Sequence, residues 1–233
     1  MKIALLGYGK MGKIIERVAI DRGHSITLKA DSKTKELDFT ESDVAIDFSL
    51  PSTAVSNIKN AINAKVPVIS GTTGWLEYYD DIVDYCNSNN SAFLYASNFS
   101  LGVNIFFEVN RVLAKLITKY SDYKLDIEEI HHTQKLDAPS GTAISLANDI
   151  ILNSDYKNWT LDNPNSDEIK IEAKRIVDVP GTHVINYNSE VDAIEIKHTA
   201  HNREGFAMGA VIAAEWIANK KGVFTMKEVL NIG

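Results

Sequence analysis

A short apolar run, Lys2–Leu6, leads straight into Gly7, and the spacing of apolar residues then changes. Met11, Ile14, Ile15, Val18 and Ala19 recur at helical period as far as Gly23, so a buried strand followed by a helix is predicted. The alternation continues. His24–Ala30, Val44–Ser49, Val66–Ser70 and Ala92–Ser97 read as further strands. Helices are predicted from Pro51-Ser52, carrying Ala54, Val55, Ile58, Ala61 and Ile62, and from about Leu76 to Asn87. Strands alternating with helices in this way predict βαβ units and a parallel sheet covered on both faces.

After Asn98 the pattern differs. Ile105, Val109, Val112, Leu116 and Tyr120, flanked by Phe106, Leu113 and Ile117, predict a long amphipathic helix. A strand over Tyr123–His132, a proline-glycine loop and a short helix over Ala143–Leu152 follow. Residues 153–168 are polar and turn-rich around Asn163-Pro164-Asn165 and read as a surface loop. Ile169–Val177 and Asp192–Ala200 alternate with period two, as strands with one covered face do. Gly205–Asn219 is helical again, and Thr225–Ile232 forms a short closing element.

Composition adds limits. With 233 residues, 45% hydrophobic and 24% charged, the chain has the make-up of a globular protein of one large or two small domains. Its net charge of −7 argues against nucleic acid and anionic membrane as partners, which reward a basic surface. An anionic ligand would therefore need cations gathered locally. Cys86 has no second cysteine to pair with. The opening apolar run is too short for a signal-peptide core, and no stretch approaches the roughly 18 apolar residues of a membrane span. The expected location is the cytoplasm.

The candidate chemistry lies at strand ends. Gly7, Gly9 and Gly12 form G-x-G-x-x-G after a predicted strand and at the start of a predicted helix, the context in which this pattern binds dinucleotides. Gly7 suits the tight turn, Gly9 the approach of a pyrophosphate, and Gly12 close packing of helix on strand. Lys10 and Lys13 give the turn a positive sign. Asp31 stands about twenty residues further on, the place of an acid that binds a ribose 2′-hydroxyl. Lys33 and Lys35 just beyond it could instead receive a 2′-phosphate, so both NADH and NADPH remain open. Asp47-Phe48-Ser49, Gly71-Thr72-Thr73-Gly74 and Ser97-Asn98-Phe99-Ser100 also fall at strand ends, on what is predicted to be the ligand-binding carboxyl edge of the sheet.

The densest cluster is Glu129–Thr142, EIHHTQKLDAPSGT. His131 and His132 can exchange protons near neutrality. Lys135 adds a cation that can act as an acid or hold an anion. Ser140-Gly141-Thr142 precedes a predicted helix, so its hydroxyls and N–H groups form an anion seat. Zinc would want further ligands at suitable spacing, and His183, His198 and His201 lie far along the chain, so no metal is expected.

At these motifs the chain resembles the 4-hydroxy-tetrahydrodipicolinate reductase (dihydrodipicolinate reductase) family of diaminopimelate and lysine biosynthesis. The resemblance runs through GYGKMG, DFS-x-P at 47–51, GTTG at 71–74, SNFS-x-GVN at 97–104, EIHHTQKLDAPSGTA at 129–143, PGTH at 180–183 and HNREGFAMGA at 201–210. It implies that reduced nicotinamide delivers hydride to a cyclic imine bearing two carboxylates, with loss of water. It implies His131 as proton donor, Lys135 as its partner, and His132, Ser140, Gly141 and Thr142 as holders of the substrate carboxylates. It places Gly7, Lys10, Met11, Gly12, Asp31, Phe48, Gly71, Thr73, Ser97 and Phe99 at the coenzyme. The implied architecture is an α/β Rossmann-type dinucleotide-binding domain, residues 1–101 and 204–233, with an inserted mixed-sheet α+β domain, residues 102–203, for substrate and for assembly into a homotetramer. Closure by hinging near SNFS and near Arg203 is also implied. Two departures stand out: Val177 replaces a family glycine, and the turn after Asp31 is short. The competing readings are another Rossmann amino- or imino-acid dehydrogenase and a nicotinamide-sensing protein without chemistry.

Overall fold

The computed structural model describes residues 1–117, 119–120 and 122–232. In chain order its elements are β1 (Lys2–Leu6), α1 (Lys10–Asp21), β2 (Ser25–Ala30), β3 (Val44–Asp47), α2 (Pro51–Asn63), β4 (Val68–Ser70), a 3₁₀ turn (Leu76–Tyr78), α3 (Tyr79–Ser88) and β5 (Ala92–Tyr95). There follow α4 (Leu101–Ile117), β6 (Lys124–His131), α5 (Gly141–Ile151), β7 (Asn158–Thr160), β8 (Glu168–Arg175), β9 (Gly181–Asn188) and β10 (Ala193–Ala200). The chain closes with α6 (Glu204–Ile217), β11 (Gly222–Phe224) and α7 (Met226–Leu230). Two compact units form: Met1–Asn104 with Arg203–Gly233, and Ile105–Asn202.

The first unit is a six-stranded sheet in the order β11-β5-β4-β3-β1-β2, with every neighbouring pair parallel. Alternate residues leave each strand on opposite faces. Ile3, Leu5 and Ile46 pack against Ile15 and Val18 of α1 and Val211 and Ile217 of α6, whereas Ala4, Leu6 and Val68 pack against Ile58 and Ile62 of α2 and Ile82 of α3. Both faces are thus covered, which is why these strands read as nearly continuous apolar runs. Since all six strands run the same way, the glycine- and hydroxyl-rich turns that follow them share one edge. Among the described residues, no helix is long and apolar enough to cross a membrane.

The second unit is a mixed five-stranded sheet in the order β10-β9-β6-β8-β7. β6 runs antiparallel to β9 and parallel to β8. Its inner face (Leu125, Ile127, Ile169, Ile171, Ile185) is covered by Phe106, Ala114 and Ile117 of α4 and by Leu146 and Ile150 of α5.

Three strands lie outside the elements read from periodicity. β7 falls within residues 158–160 of the stretch expected to be a surface loop, so that expectation is corrected there. β7 and β11 have three residues each, too few to carry a period. β9 is long but buries Thr182 and His183 among its apolar residues, which hides its alternation. On α4 the apolar stripe singled out by spacing faces outward: Ile105, Val109, Val112 and Leu116 are all exposed, and Tyr120, expected on the same helix, lies exposed beyond its end at Ile117. The residues that cover the sheet are instead Phe106, Ala114 and Ile117, with buried Asn110 donating to the Leu146 carbonyl at 3.1 Å.

Candidate active site

In the first unit the candidate coenzyme turn follows β1. Gly7 has φ +97°, and a Cβ there would lie 2.1 Å from the Phe48 carbonyl oxygen, so only glycine fits between the two turns. The N–H groups of Gly7 and Tyr8 both donate to the Ala30 carbonyl, at 2.9 and 2.7 Å, tying the turn to the end of β2. α1 then starts with Lys10 and Met11 in its first turn, and no side chain caps its free N–H groups. A Cβ on Gly9 would meet nothing within 4 Å, so nothing in the protein requires the bare backbone there. The turn borders an open groove of about 650 Å³ whose walls include Gly9, Asp31, Phe48, Thr53 and Asn57. An uncapped helix start beside bare backbone and open space fits a dinucleotide pyrophosphate.

Asp47 ties the next two turns together. Its carboxylate is wholly buried and accepts from Ser49 Oγ at 2.7 Å, Thr72 Oγ1 at 2.7 Å, Ser70 Oγ at 2.9 Å and Asn57 Nδ2 at 3.1 Å. Burial pushes its pKa up, and these four donors counter that only in part. The Ser49 N–H also donates to Thr72 Oγ1 at 2.9 Å. The ring of Phe48 is thereby held over Gly71. Thr73 and Ser97 lie exposed at the same edge. Phe99 differs from them: it is 1% exposed, with its ring 5.6 Å from that of Phe48 and its carbonyl pressed on Gly209. Its place is beneath Phe48, as core.

In the second unit the site grows out of β6. The residues Leu125, Ile127, Glu129 and His131 alternate onto one buried face, two apolar and then two polar. Pairing brings in two more residues: His183 of β9 lies opposite Glu129, and Arg175 of β8 lies opposite His131. Glu129 is completely buried. Its Oε1 accepts from Arg175 Nη2 at 3.1 Å and its Oε2 from the Ser140 N–H at 3.0 Å, while Nδ1 of His131 lies 3.3 Å from Oε2. Burial would raise the Glu129 pKa, but the contacts from His131, Ser140 and Arg175 outweigh it and hold the carboxyl at about 2. Arg175 also donates to the Lys135 carbonyl at 3.3 Å and the Asp137 carbonyl at 2.6 Å, pinning the loop to the strand.

That loop ends in the anion seat. Ser140 caps α5, its Oγ accepting from the Ala143 N–H at 3.2 Å and lying 3.1 Å from His183 Nε2. Gly141 and Thr142 occupy the first turn, where N–H groups lack helical partners. Lys135 Nζ donates to both carboxylate oxygens of Asp137, at 2.8 and 2.7 Å, and draws the Asp137 pKa down. His183 is pushed down to about 3, by burial first and then by nearby His131, so it is neutral at working pH. Glu129, His131 and His183 together offer three donor atoms within 4.8 Å of one another, which the spacing in sequence did not reveal. Both Glu129 oxygens are already engaged by hydrogen bonds, and the guanidinium balances its charge.

Known proteins resemble this chain over nearly its whole length. Residues 1–99 match the family model described as dihydrodipicolinate reductase, N-terminus, and residues 102–230 match its C-terminus counterpart. The chain belongs to the dihydrodipicolinate reductase family. A 4-hydroxy-tetrahydrodipicolinate reductase of Christiangramia forsetii is 54% identical, over 99% of this chain and 98% of its own. One of Methanosarcina acetivorans is 38% identical, over 83% and 74%. A solved structure, the dipicolinate-bound dihydrodipicolinate reductase of Paenisporosarcina sp. TG-14, shares the fold with TM-score 0.75 at 21% identity, covering 97% of each chain.

Within this reductase fold, His131, Ser140, Gly141 and Thr142 gather at the mouth of β6 and the start of α5, while Lys135 stands on the loop between them. His132 is half-buried beside them, and its Nδ1 makes no hydrogen bond. Sequence reasoning gave no role to Glu129, Arg175 or His183. A signal for Glu129 was present in its phase with Leu125 and Ile127. His183 closes the PGTH motif at 180–183, but its place opposite Glu129, like that of Arg175 opposite His131, comes from strand register.

Proposed function

We propose that this reductase converts 4-hydroxy-tetrahydrodipicolinate to tetrahydrodipicolinate with loss of water, using NADH or NADPH, in diaminopimelate and lysine biosynthesis. The observation that carries the reading is the pairing of a buried, carboxylate-backed His131 with an anion seat at the start of α5. When bound, the reduced nicotinamide supplies the hydride. His131 supplies the proton that completes the two-electron reduction, and Lys135 assists by charge. The Ser140 hydroxyl, the Gly141 and Thr142 N–H groups and His132 hold the two substrate carboxylates, which gathers positive character locally in a chain of net charge −7.

The coenzyme lies along the groove of the first unit, with Gly7, Gly9, Lys10, Met11 and Gly12 at its pyrophosphate and Phe48, Gly71, Thr73 and Ser97 toward the nicotinamide. NADH is the preferred donor in this proposal. Its support is Asp31, whose carboxylate accepts from the Lys33 N–H at 2.8 Å and Thr34 Oγ1 at 3.1 Å and is held below the usual range by those bonds. An ionised acid there suits a 2′-hydroxyl and repels a 2′-phosphate. We also propose that the chain works in the cytoplasm as a homotetramer, and the exposed apolar stripe of α4 supports self-assembly. Sedimentation of the purified protein tests the assembly.

The deciding assay follows loss of reduced-nicotinamide absorbance with substrate made by the preceding synthase, with NADH and NADPH in parallel. Oxidation of either coenzyme only when substrate is present is expected. Pyridine-2,6-dicarboxylate, a flat dianion, should compete with substrate; no inhibition at millimolar levels would sink the two-carboxylate site.

A further inference from the structure

We propose that Glu129 and His183 are positioning residues that decide which atoms of His131 and Ser140 carry protons toward the substrate. The inference rests on the reaction proposed above but is read from the protein itself.

Nδ1 of His131 is shielded from solvent, and the Glu129 carboxylate is the group that faces it, 3.3 Å away. The contact is bent away from hydrogen-bond geometry, as such contacts often are before a ligand tightens the site. A bare Nδ1 lone pair against an ionised oxygen would be repelled. A proton on Nδ1 is attracted, so neutral His131 carries its hydrogen there and leaves Nε2 as the atom that takes up and delivers the exchangeable proton. Arg175 and the Ser140 N–H hold the carboxylate in place, so its direction is set before substrate arrives.

His183 is oriented by the same carboxylate. Its Nε2 faces two oxygens, Ser140 Oγ at 3.1 Å and Glu129 Oε2 at 3.8 Å. A lone pair on Nε2 would point toward the carboxylate and would also draw the serine proton inward. With hydrogen on Nε2, Ser140 Oγ accepts twice, from His183 and from the Ala143 N–H, and its own proton is free for an anion. One buried carboxylate thereby fixes both the acid and the polarity of the anion seat.

The test is nuclear magnetic resonance on the full chain with ¹⁵N-labelled histidine, at a pH where His131 is neutral, with His131 assigned by comparison with His131→Asn. The wild-type ring is expected as the Nδ1–H form; an Nε2–H ring overturns the proposal without any variant. Glu129→Gln should shift the ring toward Nε2–H and lower kcat on the order of 100-fold, with coenzyme affinity unchanged. Glu129→Asp should restore part of both. His183→Phe, which lacks a donor, should weaken pyridine-2,6-dicarboxylate binding by about 10-fold, and His183→Gln, which keeps one, should weaken it less. Wild-type affinity in His183→Phe, or an unchanged tautomer in Glu129→Gln, refutes the assignment. Absence of turnover in the wild type would instead refute the proposed reaction, and the tautomer result would stand apart from it.

Discussion

Phe48 fills the space that a side chain on Gly71 would need: a Cβ there would lie 2.4 Å from the ring. The ring cannot retreat easily, because Asp47 binds both turns and the Ser49 N–H is tied to Thr72. Gly71→Ala is therefore expected to swing Phe48 out of place. Coenzyme affinity should fall roughly 10-fold, and stability by about 1–3 kcal/mol as in other overpacked sites. Fluorescence titration with NADH and thermal denaturation read the two effects. An alanine variant that binds coenzyme like the wild type would show that Phe48 does not shape the coenzyme site.

Asp31 should act as a discriminator rather than as an anchor. Its carboxylate is exposed and fixed by the Lys33 N–H and Thr34, so removing it leaves the turn able to accept more negative charge near Lys33 and Lys35. Asp31→Ser is expected to move the ratio of kcat/KM for NADH over NADPH by roughly 10-fold toward NADPH. Parallel steady-state assays measure it; an unchanged ratio would mean that the acid does not reach the ribose.

The first unit was legible because each change from strand to helical period marks a strand end, and glycine or hydroxyl residues sit at those ends. Gly7, Asp47 and Gly71 could be placed on one edge before any pairing was known. The second unit was legible only in part. His131 and Ser140 lie within one motif, but Glu129 is joined to His183 by antiparallel register and His131 is matched to Arg175 by parallel register. Such register depends on how distant strands align, and β9 hid its own existence by burying polar Thr182 and His183. On α4 the spacing predicted the helix but left its buried face unassigned. Helical spacing identifies an apolar face but not its partner, and the face against the sheet is the one carrying Phe106, Ala114 and Ile117.

Lys135 reaches Asp137 with two hydrogen bonds, and Arg175 holds the backbone carbonyls of Lys135 and Asp137. The loop therefore does not depend on the lysine alone for its shape. Lys135→Ala is expected to lower kcat by on the order of 100-fold or more, as loss of a proton-transfer partner does, while NADH affinity stays near normal. Stopped-flow turnover with a separate coenzyme titration distinguishes these. A variant that instead loses coenzyme affinity would place Lys135 outside the proton and carboxylate chemistry.

His183 makes the second unit acid-sensitive. In the unfolded chain its imidazole titrates at an ordinary value near 6.5, whereas in the folded chain burial and His131 hold it to about 3. Between these values the unfolded state binds a proton that the folded state does not. Stability is therefore complete above the unfolded value and is lost steadily as pH falls toward the folded one. Glu129 adds to the loss lower down, from its ordinary 4.5 to about 2, because its ionised form is the one the fold stabilises. His183→Gln keeps a donor toward Ser140 but cannot titrate, so it should flatten the upper part of the curve while leaving the lower part. Urea midpoints between about pH 7 and about pH 4, with amide exchange read in β6 and β9, measure the slope. A wild-type midpoint that does not move over that range, or a glutamine variant as acid-sensitive as the wild type, would show that His183 is not the group being protonated.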